Sequence, residues 1–419
     1  MRAGSTQRGL HTALLSCIGI TAAVCAPSAA EVASAPFRAC WSPDSRNVAL
    51  ILRETGDRDS VHVCKHDGSD AEIVLKDERL QAVSWSPSGA RIAVASAPRQ
   101  TEALVQIIPL DGRAPDTVKL GRTAENVSVG WSPDSSRVVI QLDESILLLR
   151  IDDKTIDTLD DVNPPVRRVF LDPSSPLSPD NKILMAAGPA NPLASAFGYR
   201  TASTDRAAEQ ENLYALLVKV EGERYTLPVV QYGSLAGPLV WAPDGRSIAF
   251  MTRTAPAVGT RTGATGATWL NVVSDVGTVR IDPKRVINPL SMVPVWSPAG
   301  TNICYFWRDP TGKCFLNIVN VAFTTVLPLD ERLNRLLFAA WNEEASMFVV
   351  AVTTDEETIC ATVELVSGEL CHLATLRAPF DRLLPSPNLK KLLLVTEPWG
   401  RSAFAVYDVA ADEVVRLPE

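Results

Sequence analysis

The side chains best equipped for chemistry in this sequence are a histidine–cysteine alternation, a set of recurring aspartates and a scatter of arginines. His62, Cys64 and His66 stand in HVCKH. Alternate residues of a strand share a face, so the pattern offers nitrogen and sulfur donors to a metal such as zinc. Three such residues in a row span too far for one ion, and His66 opens the turn HDG, so the stretch reads as strand and turn. Asp44, Asp134, Asp180 and Asp244 would suit calcium, yet each occupies the same place in a Pro-Asp turn, which sets them far apart. No metal and no cofactor is expected. Nucleophilic catalysis is poorly served too: the nearest approach to G-x-S-x-G, GSLAG at Gly233, has Leu at its centre. A phosphate loop, a dinucleotide fingerprint and a CxxC pair are missing from the sequence, and no catalytic residue is assigned.

The elements that would hold any site are a repeat. Trp41, Trp85, Trp131, Leu177, Trp241, Trp296, Trp341 and Pro385 head segments such as WSPDSRNVAL, WSPSGARIAV and WAPDGRSIAF, at spacings of 44, 46, 46, 64, 55, 45 and 44. Six of the nine tryptophans stand at this one position. A short apolar run leads into each head, and a Ser-Pro-Asp type turn follows. Pro fixes one turn dihedral, and Asp, Ser or Gly bonds the turn or accepts positive φ. Then come a β-branched run, a loop, a second run, a hairpin turn and a last short strand. One four-stranded sheet of this size cannot bury both faces alone. Copies stacked radially can, which predicts an all-β protein, a β-propeller of eight four-stranded blades filling 31–419 as a single domain. The tryptophans are expected to wedge between neighbouring sheets rather than to form a ligand-stacking ring.

The W-S-P-D heads and the IAF-like strands after them resemble the WD40-like propeller repeats of the TolB family and of the propellers in tricorn-type and prolyl-oligopeptidase-type proteases. The resemblance covers nearly the whole chain and implies a scaffold more than a chemistry. TolB places an α/β domain before a smaller propeller, and the proteases add a catalytic domain. Here the first repeat follows the leader directly, and the repeats use the rest of the chain. What the resemblance implies is a non-catalytic propeller binding a protein or peptide in the cell envelope. The alternatives are a small-molecule, glycan-binding or enzymatic propeller using the central channel, and a degenerate protease-type propeller gating a partner enzyme.

The two long spacings place insertions in the same loop of consecutive repeats, Gly188 to Asn212 and Arg253 to Thr268, on the face opposite the Ser-Pro-Asp turns. Phe197, Tyr199, Arg200 and Arg261 lie in them. Arg79, Arg122 and Arg335 fall on links between repeats on that same face, with Arg167, Arg168, Arg332 and Arg382. Together they outline a partner-binding loop face. An interaction module should expose an apolar or aromatic patch there, and an enzyme should converge polar groups at the channel mouth. Arg38 and Arg382 share a repeat position on either side of the seam between first and last repeat, where Asp381 is a candidate partner for Arg38.

The formal charge of -8 and the absence of a Lys/Arg run argue against nucleic acid. Arg2 and Arg8, the apolar stretch Thr12 to Ala26 and the small residues after Pro27 read as a signal peptide over 1–30 cleaved near Ala30, leaving a charge of -10 once those two arginines go. No later segment is apolar enough to span a bilayer. A periplasmic or secreted monomer meeting another envelope or secreted protein is the expectation. Cys40, Cys64, Cys304, Cys314, Cys360 and Cys371 then remain, and Cys304–Cys314, flanking a tight hairpin, is the foremost candidate for a bridge.

Overall fold

In the computed structural model, residues 38–417 are described with interruptions; 1–37, 159–176, 190–212, 220–225, 254–267, 281–292 and several shorter segments lie outside the described residues. The described elements are all strands, and no helix among them is long and apolar enough to cross a membrane. Each sheet is an antiparallel meander. The first runs in order through Ala39–Trp41, Asn47–Arg53, Arg58–Lys65 and Glu72–Glu78. The second holds Leu80–Trp85, Arg91–Ser96, Leu104–Pro109 and Asp116–Lys119. The third holds Val127–Trp131, Arg137–Leu142, Ser145–Arg150 and Ile156–Thr158. The last runs from Arg382–Pro385 to Glu413–Arg416.

The propeller arrangement stands, but the expectation of eight four-stranded blades does not: six sheets have four strands, one has three and one has five. The five-stranded sheet has an interrupted inner edge, since Ser234–Leu235 and Val240–Trp241 both pair with Ser247–Arg253. The three-stranded sheet follows the head Leu177, which is buried but makes only an isolated bridge.

Each head turn is wired by its own residues. Ser42 Oγ donates to Asp44 Oδ1 (2.6 Å) and accepts from the Asn47 amide (2.9 Å), while the Arg46 amide donates to Asp44 Oδ1 (3.1 Å). Ser132 with Asp134 and Ser386 with Asn388 repeat the pattern. All of these serines are buried, so the Ser of the motif satisfies polar groups that water cannot reach. The residue four places after the head takes positive φ: Ser45 (63°), Gly89 (76°), Ser135 (63°), Gly245 (69°), Gly300 (69°) and Leu389 (57°).

The core lies between sheets. Val48, Leu50 and Cys64 of the first sheet pack with Leu393, Val395, Phe404 and Val406 of the last. The other face of the first sheet, with Ala49, Ile51 and Val61, packs on Leu80, Val83, Ile92 and Val94. Second and third sheets share a further cluster around Val105, Trp131 and Val138. The indole nitrogens stitch these contacts. Trp131 donates to the Ser84 carbonyl (3.0 Å), Trp296 to Val240 (3.1 Å), Trp341 to Val295 (3.3 Å) and Trp41 to Leu384 (2.9 Å). In every case the acceptor is the residue just before the preceding head. Trp241 is buried at the same repeat position. Trp85 is buried too but donates instead to Gly89 of its own turn (3.1 Å).

First and last sheets therefore meet. At that seam the Asn388 amide also donates to Ser45 Oγ (3.2 Å), as the Ser88 amide does to Ser135 Oγ (3.0 Å) between second and third sheets. The proposed Arg38–Asp381 pair is not what holds it. Arg38 Nη2 donates to the Leu80 carbonyl on the opposite side (3.3 Å), and Asp381 lies outside the described residues.

The expected Cys304–Cys314 bridge is also corrected. Cys304 pairs with Ile318 and Cys314 with Arg308, four residues from Cys304 along its strand. That is about 13 Å of strand, beyond the reach of a disulfide. The six cysteines among the described residues are free thiols.

Candidate functional site

Two faces follow from the meander: the Ser-Pro-Asp turns open on one, and the links between sheets with the second-to-third-strand hairpins on the other, here called the loop face. Strand pairing puts the residues that flank both predicted insertions on the latter, while 190–212 and 254–267 themselves lie outside the described residues. Pro189 pairs with Leu213 and Arg253 with Thr268, so 190–212 and 254–267 each join a second strand to a third. Phe197, Tyr199, Arg200 and Arg261 themselves lie outside the described residues, as do Arg167, Arg168 and Arg332. Arg335 is placed only as the first residue of strand Arg335–Trp341.

Arg79 and Arg122 are well defined. Arg79 is the whole link between Glu72–Glu78 and Leu80–Trp85, a single half-buried residue at φ 47°. An L side chain is strained in that region. Immediately after it the ladder slips between Leu80 and Ala82, and Gln81 occupies the bulge. Bulges re-aim side chains, and this one sends Gln81 across to the third sheet. Gln81 Nε2 donates to the Glu125 carbonyl and its Oε1 accepts from the Val127 amide, both at 2.7 Å.

The link carrying Arg122 is braced from several sides. Arg122 Nη1 donates to Ser145 Oγ (2.8 Å), and Asp143 accepts from the amides of Glu125 and Asn126. Glu102 accepts from the Gly121 amide (3.2 Å) while holding Lys119 (2.8 Å). The Lys119 ammonium keeps the Glu102 carboxyl below its usual range. The loop face of the first three sheets is thus ordered by side chain to backbone bonds rather than by apolar packing. The large exposed apolar side chains among the described residues, Ile73, Leu110 and Val326, stand on outer strands and on a turn-face hairpin. The apolar loop-face patch expected of an interaction module is not found among the described residues.

A polar chain that the sequence did not flag runs beside this junction. Lys76 pairs with Glu54 (2.8 Å), Glu54 is hydrogen-bonded to Ser60, and Ser60 Oγ lies 2.9 Å from His62 Nε2. Lys76 first, then Ser60, hold the Glu54 carboxyl low, and burial lowers the pKa of His62. Hydroxyl, imidazole and carboxylate are the members of a hydrolytic triad, but the order differs. In a triad the imidazole stands between the other two; here the hydroxyl does, and Ser60 is fully buried. Only spacing across a hairpin, Glu54 to Ser60 and His62, hinted at this chain.

Of HVCKH, His62 belongs to that chain and Cys64 is buried in the seam core, its thiol pushed up to about 11 by burial. No group of three or more potential metal ligands occurs among the described residues. Asp44 and Asp134 are engaged in their own turns, as anticipated.

Radial meanders, indole stitches and a link-bearing face define a β-propeller. The sequence matches no protein-family model and no curated protein. Among solved structures the chain is similar to a eukaryotic initiation factor, at 12% identity over 92% of this chain and 87% of that one, with a TM-score of 0.53. It is similar to the tricorn protease at 12% identity over 91% of this chain and 34% of that one, with a TM-score of 0.51. TolB from Acinetobacter baumannii is a further neighbour, at 12% identity over 88% of this chain and 79% of that one and a TM-score of 0.41. At such identities the likeness extends to the fold and no further.

Proposed function

We propose that this chain is an exported, non-catalytic β-propeller that binds another protein or peptide through its loop face. On this reading the propeller is of the WD40-like, TolB-like kind, and residues 1–30 direct the chain to the periplasm or outside the cell. The observation that carries it is the loop face of the first three sheets. Gln81, Asp143, Arg122 and Glu102 fix its backbone by hydrogen bonds, which is the preorganisation a docking surface needs. The expanded hairpins 190–212 and 254–267 rise from the same face, and long loops on a rigid scaffold commonly carry recognition.

Affinity capture from the envelope fraction tests it, using the mature chain, a variant lacking residues 190–211 and an Arg122→Ala variant. A specific partner retained by the intact chain and lost with the hairpin supports the proposal. Identical capture profiles for all three would sink it. Sequencing the exported protein's amino terminus should begin at Glu31.

A further inference from the structure

We infer that the junction of the first and second sheets on the loop face is a docking site for an acidic peptide segment of the partner, with Arg38 and Arg79 receiving its carboxylates. The inference rests on the loop-face reading above and names the chemistry of its partner.

Several cations elsewhere on the described surface are matched. On the turn face Arg46 stands with Asp44, Lys65 with Asp70, Arg113 with Asp111, Arg150 with Asp153 and Asp157, and Lys154 with Asp116. Arg38 and Arg79 have no carboxylate within ion-pair distance among the described residues. The two belong together: the Arg38 guanidinium reaches the Leu80 carbonyl, one residue from Arg79. Some of the nearby acids are engaged. Asp59 stands 3.8 Å from Arg53, Glu54 holds Lys76, and Asp77 accepts from Gln106 Nε2 and from the Glu78 amide. Glu78 stands opposite Arg58 in the ladder, so Arg38, Arg53, Arg58, Lys76 and Arg79 face Glu54, Asp59, Asp77 and Glu78 here. The junction therefore keeps a positive surplus on a chain whose net charge is -8.

Two further features point to a ligand. Ser96 is cross-strand partner to Leu80, and its hydroxyl is buried without a hydrogen-bond partner. It shares strand parity with Ile92 and Val94, whose side chains fill the core between first and second sheets, so it lies at the loop-face end of this junction. Arg79 also keeps a left-handed backbone that glycine would accept without strain. Planar donor forks match carboxylates in pairs, and a flexible acidic segment can reach both.

The test is fluorescence anisotropy of fluorescein-labelled hexaglutamate with the full mature chain. Saturable binding at low salt, weakened by added salt and absent for labelled hexalysine, is expected. Arg38→Gln and Arg79→Gly should each weaken it by about tenfold, the worth of one charge-assisted contact. Arg113→Gln, on the turn face, should leave it unchanged. The Arg79→Gly chain should unfold at the same temperature as the original or higher, which separates lost recognition from lost fold. No saturable hexaglutamate binding, equal loss with Arg113→Gln, undiminished binding by the double variant, or binding of inorganic phosphate without binding of the peptide would each overturn the inference. If hexaglutamate fails while the envelope partner is still captured, this site falls and the scaffold reading survives. If capture also fails, both fall.

Discussion

Replacing Trp41 by Phe should open the propeller at one place. Neighbouring sheets elsewhere are also joined through the chain, but among the described residues first and last are held by contacts across the seam: the Trp41 indole on the Leu384 carbonyl, Ser45 Oγ on the Asn388 amide, and the core around Val48, Cys64 and Leu393. Phe keeps most of the ring volume but leaves the part-buried Leu384 carbonyl without its donor. Together with the lost apolar area that costs about 2–3 kcal/mol, or about 30- to 140-fold in the population of seam-open molecules. The assay is thiol alkylation followed by mass spectrometry. Cys64 is buried in the seam core, Cys360 is buried between the last two sheets, and Cys371 is exposed. Cys371 should label at once in every variant. Labelling of Cys64 should accelerate by the stated factor in Trp41→Phe, with Cys360 lagging far behind. Trp85→Phe, whose indole bonds only its own turn, should leave Cys64 slow. Equal acceleration of Cys64 and Cys360 would mean global loosening, and no acceleration would mean the indole does not hold the seam; either refutes the reasoning.

Gly300→Ser should cost no more than about 1 kcal/mol, because the left-handed strain of about 1–2 kcal/mol at φ 69° is partly offset by a new hydroxyl–amide bond worth about 0.5–1 kcal/mol. The same position holds Ser45 and Ser135, each accepting a neighbouring turn's amide, and a Cβ at Gly300 would meet Pro243 and Asp244 at an easy 3.7 and 3.9 Å; urea unfolding reads the change. Gly68→Ala should cost about 1–2 kcal/mol, because φ is 77° and the new Cβ would lie 3.3 Å from the Arg416 carbonyl oxygen at the seam. Alkaline pH should weaken the fold. Burial raises Cys64 from 9.0 to about 11 and Cys360 from 9.0 to about 12, so unfolded thiols ionise first. Their contribution is complete below pH 9 and is lost as pH climbs through 11 to 12. Cys64→Ala should make the decline in urea midpoint between pH 9 and 11 shallower, by at most about 2–3 kcal/mol.

How far the sequence reached depended on how local each interaction was. The Ser42–Asp44 and Ser132–Asp134 turns and the positive φ at Ser45, Gly89 and Gly300 could be read directly, because the partners sit within five residues. Leu389 takes the same left-handed corner without any turn-forming side chain, imposed by the repeat around it. Cys304 and Cys314 looked bridgeable from their separation, and only the register moved them apart. Arg38 looked like a seam residue, yet its guanidinium turned toward Leu80, because strand parity points it at the second sheet.

By itself the sequence determined an all-β chain of recurring head-and-turn units that must stack to bury their faces, since periodic apolar runs and turn chemistry are written residue by residue. It also marked two longer spacings between second and third strands, whose flanking residues Pro189 with Leu213 and Arg253 with Thr268 do pair. Tertiary structure alone decided that six sheets keep four strands, that the indoles donate to the residue before each preceding head, and that first and last sheets meet. It alone carried the Arg38 guanidinium to the Leu80 carbonyl, one residue from Arg79. Contacts between distant segments depend on register and packing angle, which no single segment encodes.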